Sequence, residues 1–529
     1  MNRLLISATH KSSGKTTLSV GLCAALHQRG LTVQAFKKGP DFIDPMWLSL
    51  ACQRDCHNLD FYLMQRAEIV RTFVARSQGA DISIIEGNKG LYDGLSLDGS
   101  NSNAALATLL QTPVVLVIDA RGMTRGIAPL ILGQQAFDRN VRIAGVILNQ
   151  LGGSRHEAKL RAVIEHYTDI PVLGAVHHND QLSIVERHLG LMPSNEATAA
   201  QEKINAIAGL VTAAVDLDRL LAIAADVSAL DAAYEMNQLE EPSPRPLPHP
   251  HPHSLSRETG EGSEPLRAAR APHSLGGRGD LEMNPLEEPS PRPLPLRGRG
   301  DYEMNPIKIG VARDAAFAFY YPGDLEALRA AGAELVIFNT LQDSQLPDVD
   351  ALLIGGGFPE IFMELLERNV SLRQAIRRAL ENGMPAYAEC GGLMYLSRSL
   401  SWHGKNCQMV GVIPGDTVMH ERPMGRGYVL LRETGKGIWP MAGSQDKPAE
   451  VRAHEFHYSS LENRSPNLVY AYDVLRGSGV DGAHDGIVYK NLFACYAHQR
   501  DLEDNHWAAR FVNFVRERKR TNDPQRATR

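Results

Sequence analysis

Between Tyr234 and about Pro306 the chain changes character, and no single hydrophobic core can be built through that stretch. The decapeptide LEEPSPRPLP stands at Leu239–Pro248 and again, letter for letter, at Leu286–Pro295. EMN follows Tyr234, Leu281 and Tyr302, and HSL recurs at His253 and His273. Proline, arginine and glycine dominate, and apolar periodicity vanishes. Such a segment cannot bury enough surface to offset its ordering entropy, and its period is too irregular for a stack of repeats. The sequence is therefore read as four parts: 1–232, a disordered linker over 233–306, 307–515 and a basic tail over 516–529. A long insertion is tolerated at such a boundary because loop length costs little entropy.

Both flanks have the same texture. RLLISA, LTVQAF, DISIIEG, PVVLVIDA, RIAGVILN and PVLGAV read as buried strands, separated by amphipathic stretches such as KTTLSVGLCAALHQRG. After Ile307 the pattern resumes with IKIGVARD, AELVIFNT, ALLIGGG, PAYAEC and NLFACYAH. This alternation predicts an α/β fold in each half, a parallel sheet with helices on both faces. A net charge of −6 over 529 residues argues against a nucleic-acid partner. No apolar run approaches the ~20 residues of a membrane span, and the start MNRLLISATHK does not read as a secretory signal. Six scattered cysteines suit a reduced, cytoplasmic protein. Cys52, Cys56 and His57 have zinc-like spacing, but no second ligand pair lies near, so the cysteines are read as ordinary helix or loop residues.

In the amino-terminal half, Gly14-Lys15-Thr16-Thr17 follows a strand and opens a helix, the context of a phosphate loop. Its backbone N–H groups would face phosphate, Lys15 would neutralise it and Thr16 could hold magnesium. The usual first glycine is replaced by Thr9, and Lys11 sits inside the loop. The second strand ends in FKKGPDFIDP, which offers Lys37 and Lys38 to an anion and Asp41 and Asp44 as carboxylates. Glu86 stands directly after a third strand, where a magnesium ligand is expected, so Thr16, Asp41 and Glu86 form the candidate magnesium set. The loop resembles the deviant phosphate loops of the MinD and dethiobiotin synthetase class, in which the added lysine, here Lys11, also contacts phosphate.

In the carboxy-terminal half, PAYAECGGLMYLS reads as strand, sharp turn and helix, with Cys390 at the turn. The helix dipole favours its thiolate. IGGGFPE upstream supplies amides that could form an oxyanion hole, Gly357 with Gly391. NLFACYAHQR ends a strand with His498, a candidate base. This order resembles class I glutamine amidotransferase domains, in which a thiolate attacks the glutamine amide and ammonia leaves. Those domains carry an acid two residues after the histidine. Here that place holds Arg500, so a Cys–His dyad is implied.

ATP chemistry beside an ammonia source suggests amide synthesis through an acyl phosphate. KSSGKTT, FKKGPDFIDP, IIEGNKGLYDG, ERHLGL, IGGGFPE, AECGGLMYL, RAHEFHYS and ACYAH, in that order, resemble the cobyrinate (or hydrogenobyrinate) a,c-diamide synthases. The resemblance implies magnesium, ATP and glutamine, and a corrin polycarboxylate as acceptor. It adds Tyr92, Asp93 and His188 to Lys37, Lys38 and Asp44 as substrate or phosphate residues. It also offers Asn149 to the adenine edge, although a strand-end cap suits Asn149 as well. The family usually has MGLYDG where this chain has NKGLYDG, and often HLH for HQR. RAHEFHYS as a strand would put Arg452, His454 and Phe456 on one face and Glu455 and His457 on the other. His454 and His457 are therefore minor candidates for an interdomain or substrate role. Two alternatives stay open: the same chemistry on another tetrapyrrole such as a nickel sirohydrochlorin, or a switch ATPase with an inactive amidase-like domain. A homodimer is compatible with either.

Overall fold

The run RLLISA forms strand β1 (Arg3–Ala8), and every residue of it is buried. A strand buried on both faces belongs in the middle of a parallel sheet. β1 lies between β4 (Ile82–Glu86) and β5 (Val114–Asp119), parallel to both. With β2 (Val33–Lys38), β3 (His57–Leu59), β6 (Ile143–Leu151) and β7 (Val172–His177) it makes a seven-stranded sheet in the order β3-β2-β4-β1-β5-β6-β7. Alternation sorts its side chains: Leu4 and Ile6 join the core under helices α1 (Lys15–Gln28) and α2 (Ile43–Cys52), and Leu5 joins the core on the other face. Cys23, Cys52 and Cys56 are buried in the first of these cores.

The computed structural model describes residues 1–179, 186–187, 190–191, 194, 200–230, 306–442 and 448–521. The linker expected over 233–306, His188 and the last residues of the basic tail lie outside the described residues.

The carboxy-terminal half is built on a nine-stranded sheet. Its first five strands are parallel: Ala333–Phe338, Ile307–Ala312, Ala351–Ile354, Ala386–Glu389 and Leu492–Cys495. It then continues antiparallel through His484–Tyr489, Val469–Arg476, Gly425–Glu433 and Glu450–His457. The final helix runs Trp507–Thr521, so the boundary expected at 515 falls inside it. Phe511, Val512, Phe514 and Val515 bury one face. The basic residues that looked like a tail are its last turn, where Arg518, Lys519 and Arg520 complement the helix dipole. The described residues of both halves form one compact unit. Among them, no helix is long and apolar enough to cross a membrane.

Candidate active site

The loop after β1 closes against β6. Gly14 has φ 83°, and a Cβ there would stand 2.2 Å from Asn149 Nδ2. Asn149 donates that amide to Ser13 O at 2.9 Å, which makes it the strand-end brace of the loop. Lys15 reaches His10 O at 3.5 Å, and burial pushes its ammonium down to about 8. Lys11 is exposed on the loop, and Thr17 is half-buried on the first turn of α1.

Four side chains meet below it. The Thr16 hydroxyl donates to Glu86 Oε1 at 2.6 Å and contacts Asp44 Oδ2 at 3.2 Å. Lys37 Nζ lies 2.5 Å from the same Asp44 oxygen and 3.0 Å from Glu86 Oε1. Burial would lower the Lys37 ammonium, but Asp44 and Glu86 outweigh it and hold it well above its ordinary value. Glu86 Oε2 is buried with no hydrogen-bond partner. The carboxylate beside Thr16 is therefore Asp44, where the sequence suggested Asp41. Asp41 is committed to the start of α2: its Oδ1 accepts from the N–H groups of Ile43 at 2.8 Å and Asp44 at 3.2 Å. Burial, with Asp44 beside it, pushes its carboxyl up to about 7.

Lys38 lies 3.3 Å from Asn88 Oδ1, and burial pushes it down to about 8. Asp93 Oδ2 accepts from Gly90 N at 2.9 Å. Tyr92, expected near substrate, points elsewhere: its hydroxyl donates to Gln134 O at 2.6 Å and its ring packs on Phe137. Apolar packing claims the ring, and it is the neighbouring Asp93 that lines the cavity.

In the other half, the strand Ala386–Glu389 ends at Cys390, whose φ of 48° and ψ of −101° make a strained turn into the helix Gly391–Leu396. Such backbone costs on the order of 1–3 kcal/mol and persists only where its surroundings enforce it. A Cβ on Gly392 would stand 2.1 Å from Ile354 O, so the helix can start this close only on glycine. The Cβ position of Gly391 lies 3.1 Å from Gly357 N, which brings the two candidate oxyanion donors together. His498 is buried, with Nδ1 3.3 Å from Glu389 Oε2. Its pKa is pushed up to about 10: burial opposes the charge, but Cys390, through charge and a hydrogen bond, and Glu389 outweigh burial.

Glu389 was missed in the sequence. It stands beside His498 Nδ1, where the acid missing at Arg500 would be needed. Tyr387 Oη donates to Glu389 Oε1, as does Gln499 N at 3.0 Å. The available signal was an acid at the buried end of a strand, directly before the nucleophile. Arg500 is buried too, 4.7 Å over the Tyr321 ring and 3.4 Å from Asn58 O of the other half.

His454 stacks on His498 with ring centroids 4.9 Å apart. Burial, then His498 and Arg500, hold its pKa well below the ordinary value. His457 stacks on Tyr496 and bonds Ser459 O at 2.8 Å, behind the site. The two halves meet at Phe42, between Asp41 and the start of α2, whose ring lies 5.0 Å from His498 and 5.5 Å from His454. A cavity of about 1580 Å³ spans the junction and is lined by Lys38, Asp41 and Asp93 from one half and by His454, His498 and Arg500 from the other. That volume exceeds the roughly 300–1,000 Å³ of an ordinary small-molecule pocket.

Known families cover both halves. Residues 4–191 match the CobQ/CobB/MinD/ParA nucleotide binding domain, and residues 308–505 match the CobB/CobQ-like glutamine amidotransferase domain. A cobyrinate a,c-diamide synthase of Magnetococcus marinus is 44% identical over 522 residues, covering 99% of each chain. The Archaeoglobus fulgidus enzyme of that name is 37% identical over 520 residues, 98% of each chain. One from Listeria monocytogenes is 35% identical over 500 residues, 94% of this chain and 96% of its own. With this identity along the whole length, the chain belongs to the cobyrinate a,c-diamide synthase family of glutamine-dependent amidotransferase ligases.

Proposed function

We propose that the chain amidates the a and c carboxylates of cobyrinate, using ATP and the ammonia of glutamine. The observation that carries this reading is the shared cavity, onto which the acidic turn of the phosphate-loop half and His498 of the other half both open. The Cys390 thiolate attacks the glutamine amide carbon. The N–H groups of Gly357 and Gly391 receive the oxyanion, and His498, oriented by Glu389, gives its proton to the departing ammonia. Water then hydrolyses the thioester to glutamate.

In the phosphate-loop half, Lys15 and the loop amides hold ATP while an acceptor carboxylate oxygen attacks its γ-phosphorus, forming an acyl phosphate and ADP. Ammonia adds to the acyl carbon and phosphate leaves. The hydroxyl of Thr16 and the carboxylates of Asp44 and Glu86 are hard oxygen donors, and the unpartnered Glu86 Oε2 suits a divalent cation. Magnesium held there would neutralise phosphate charge. Lys38 and Asp93 face the cavity, toward the acceptor and the incoming ammonia.

Mass spectrometry of cobyrinate treated with enzyme, ATP and glutamine tests the reading. Two successive OH-to-NH2 exchanges are expected. Cys390→Ala should abolish glutamine-dependent synthesis, by roughly 10³-fold or more, while ammonium salts still support it. An unchanged corrin mass with either nitrogen source would sink the proposal.

A further inference from the structure

One wall of the cavity is a face of the hairpin that ends the nine-stranded sheet. Register pairs Arg426 with Phe456, Tyr428 with His454 and Leu430 with Arg452. All of these line the cavity, as does Arg476 on the adjoining strand. Along a strand rising ~3.3 Å per residue, Arg452 sits on one side of His454 and the Arg426–Phe456 pair on the other, each about 7 Å away.

Arg426, Arg452 and Arg476 are exposed to the cavity, and among the described residues none of them has a carboxylate within ion-pair distance. Nearby arginines outside the cavity lining are neutralised: Arg432 pairs with Asp473, and Arg510 with Glu433. The guanidinium groups of Arg452 and Arg476 lie 5.9 Å and 5.7 Å from the centroid of one ring, Tyr62 of the phosphate-loop half. That ring is fixed by stacking on Tyr428 at 4.4 Å and by a hydrogen bond to Val429 O at 3.1 Å. Two like charges held over one aromatic face with no counter-ion are costly alone and favourable once an anion arrives.

We propose that the glutaminase half supplies the wall that holds the acceptor's non-reacting carboxylates, with Arg452 and Arg476 as carboxylate clamps and Arg426 as a third contact. The ammonia-producing half is then also the specificity half for a polyanionic acceptor. This rests on the reading above that the acceptor is a polycarboxylate.

The test uses the full chain with cobyrinate, ATP and ammonium chloride at fixed ionic strength, so that glutamine hydrolysis plays no part. Arg452→Gln and Arg476→Gln should each raise the KM for cobyrinate roughly tenfold or more, with the KM for ATP moving less than about twofold on the same scale. Arg452→Lys should recover part of the loss, since it keeps the charge and loses the fork. The wild-type KM should also climb steeply with salt. If the wild type amidates cobyrinate and the glutamine variants keep its KM, the clamp assignment is wrong and the proposed function stands. If the wild type amidates no corrin, the function and the clamp fall together. Equal rises in the KM for cobyrinate and for ATP would mark general disruption and would also overturn the assignment.

Discussion

The two reaction centres are built on opposite plans. Around Cys390 the parts already lie together: the strained turn at Cys390, His498 with its pKa pushed up, Glu389 beside it and Gly357 close to Gly391. Around Lys15 the charges neutralise one another. Lys37 bridges Asp44 and Glu86, Thr16 donates to Glu86 and lies against Asp44, and Glu86 keeps an idle oxygen. Preorganisation suits a site that cleaves a small, free amide. A site that must collect a nucleotide, a cation and a large acceptor can instead hold its carboxylates in reserve until ligands release them from Lys37.

The strongest way to break this comparison is Lys37→Met. It leaves two buried carboxylates facing one another, and removing one partner of a buried pair costs about 3–5 kcal/mol. Thermal unfolding should show that loss, and synthesis should fail even with ammonium salts. Glutamine hydrolysis at a temperature where the variant is folded should persist. If hydrolysis falls in step with synthesis, the two centres are not separately organised.

Glu389→Gln probes the preassembled site. Hydrolysis should fall roughly 10²-fold. Glu389 also helps hold the His498 proton, so the alkaline limb of the pH profile should move to lower pH in the variant. A residue serving only to fill space would lower the rate without moving that limb.

Phe42→Ala addresses the junction. Its ring contacts His498 and His454 and stands beside Asp41 and the start of α2. Opening that contact should raise the glutamine consumed per amide formed by a fewfold, because ammonia escapes when reacting parts are no longer held together. An unchanged ratio would show that Phe42 only fills the interface.

What the sequence could reveal follows from how local each feature is. The phosphate loop and the cysteine elbow are contiguous, so strand, turn and helix signals placed Lys15, Thr16, Cys390 and Gly391 in the right elements. Apart from the short β3, the parallel strands announced themselves as apolar runs, whereas the antiparallel extension, with its half-polar strands, was seen only at RAHEFHYS. Glu389 was hidden because its partner lies 109 residues away, just past the end of a neighbouring strand. The exchange of Asp41 for Asp44 was hidden for a different reason. Both carboxylates sit on one turn, and only the rotation of that turn decides which of them caps the helix and which meets Thr16.

That exchange makes the smallest of these predictions. Asp41 titrates near 7 in the folded chain against an ordinary 3.8, because burial and Asp44 disfavour its charge. A folded acid with a raised pKa keeps a proton that the unfolded chain releases. Its contribution to stability is full below about pH 4 and is lost as pH rises through about 7. The amide introduced by Asp41→Asn cannot titrate, yet its oxygen still accepts the two N–H groups at the start of α2. The melting temperature of the variant relative to wild type should therefore climb between pH 4 and pH 7 and level off above. A difference that stays flat across that range would mean that the Asp41 carboxyl is already ionised when folded.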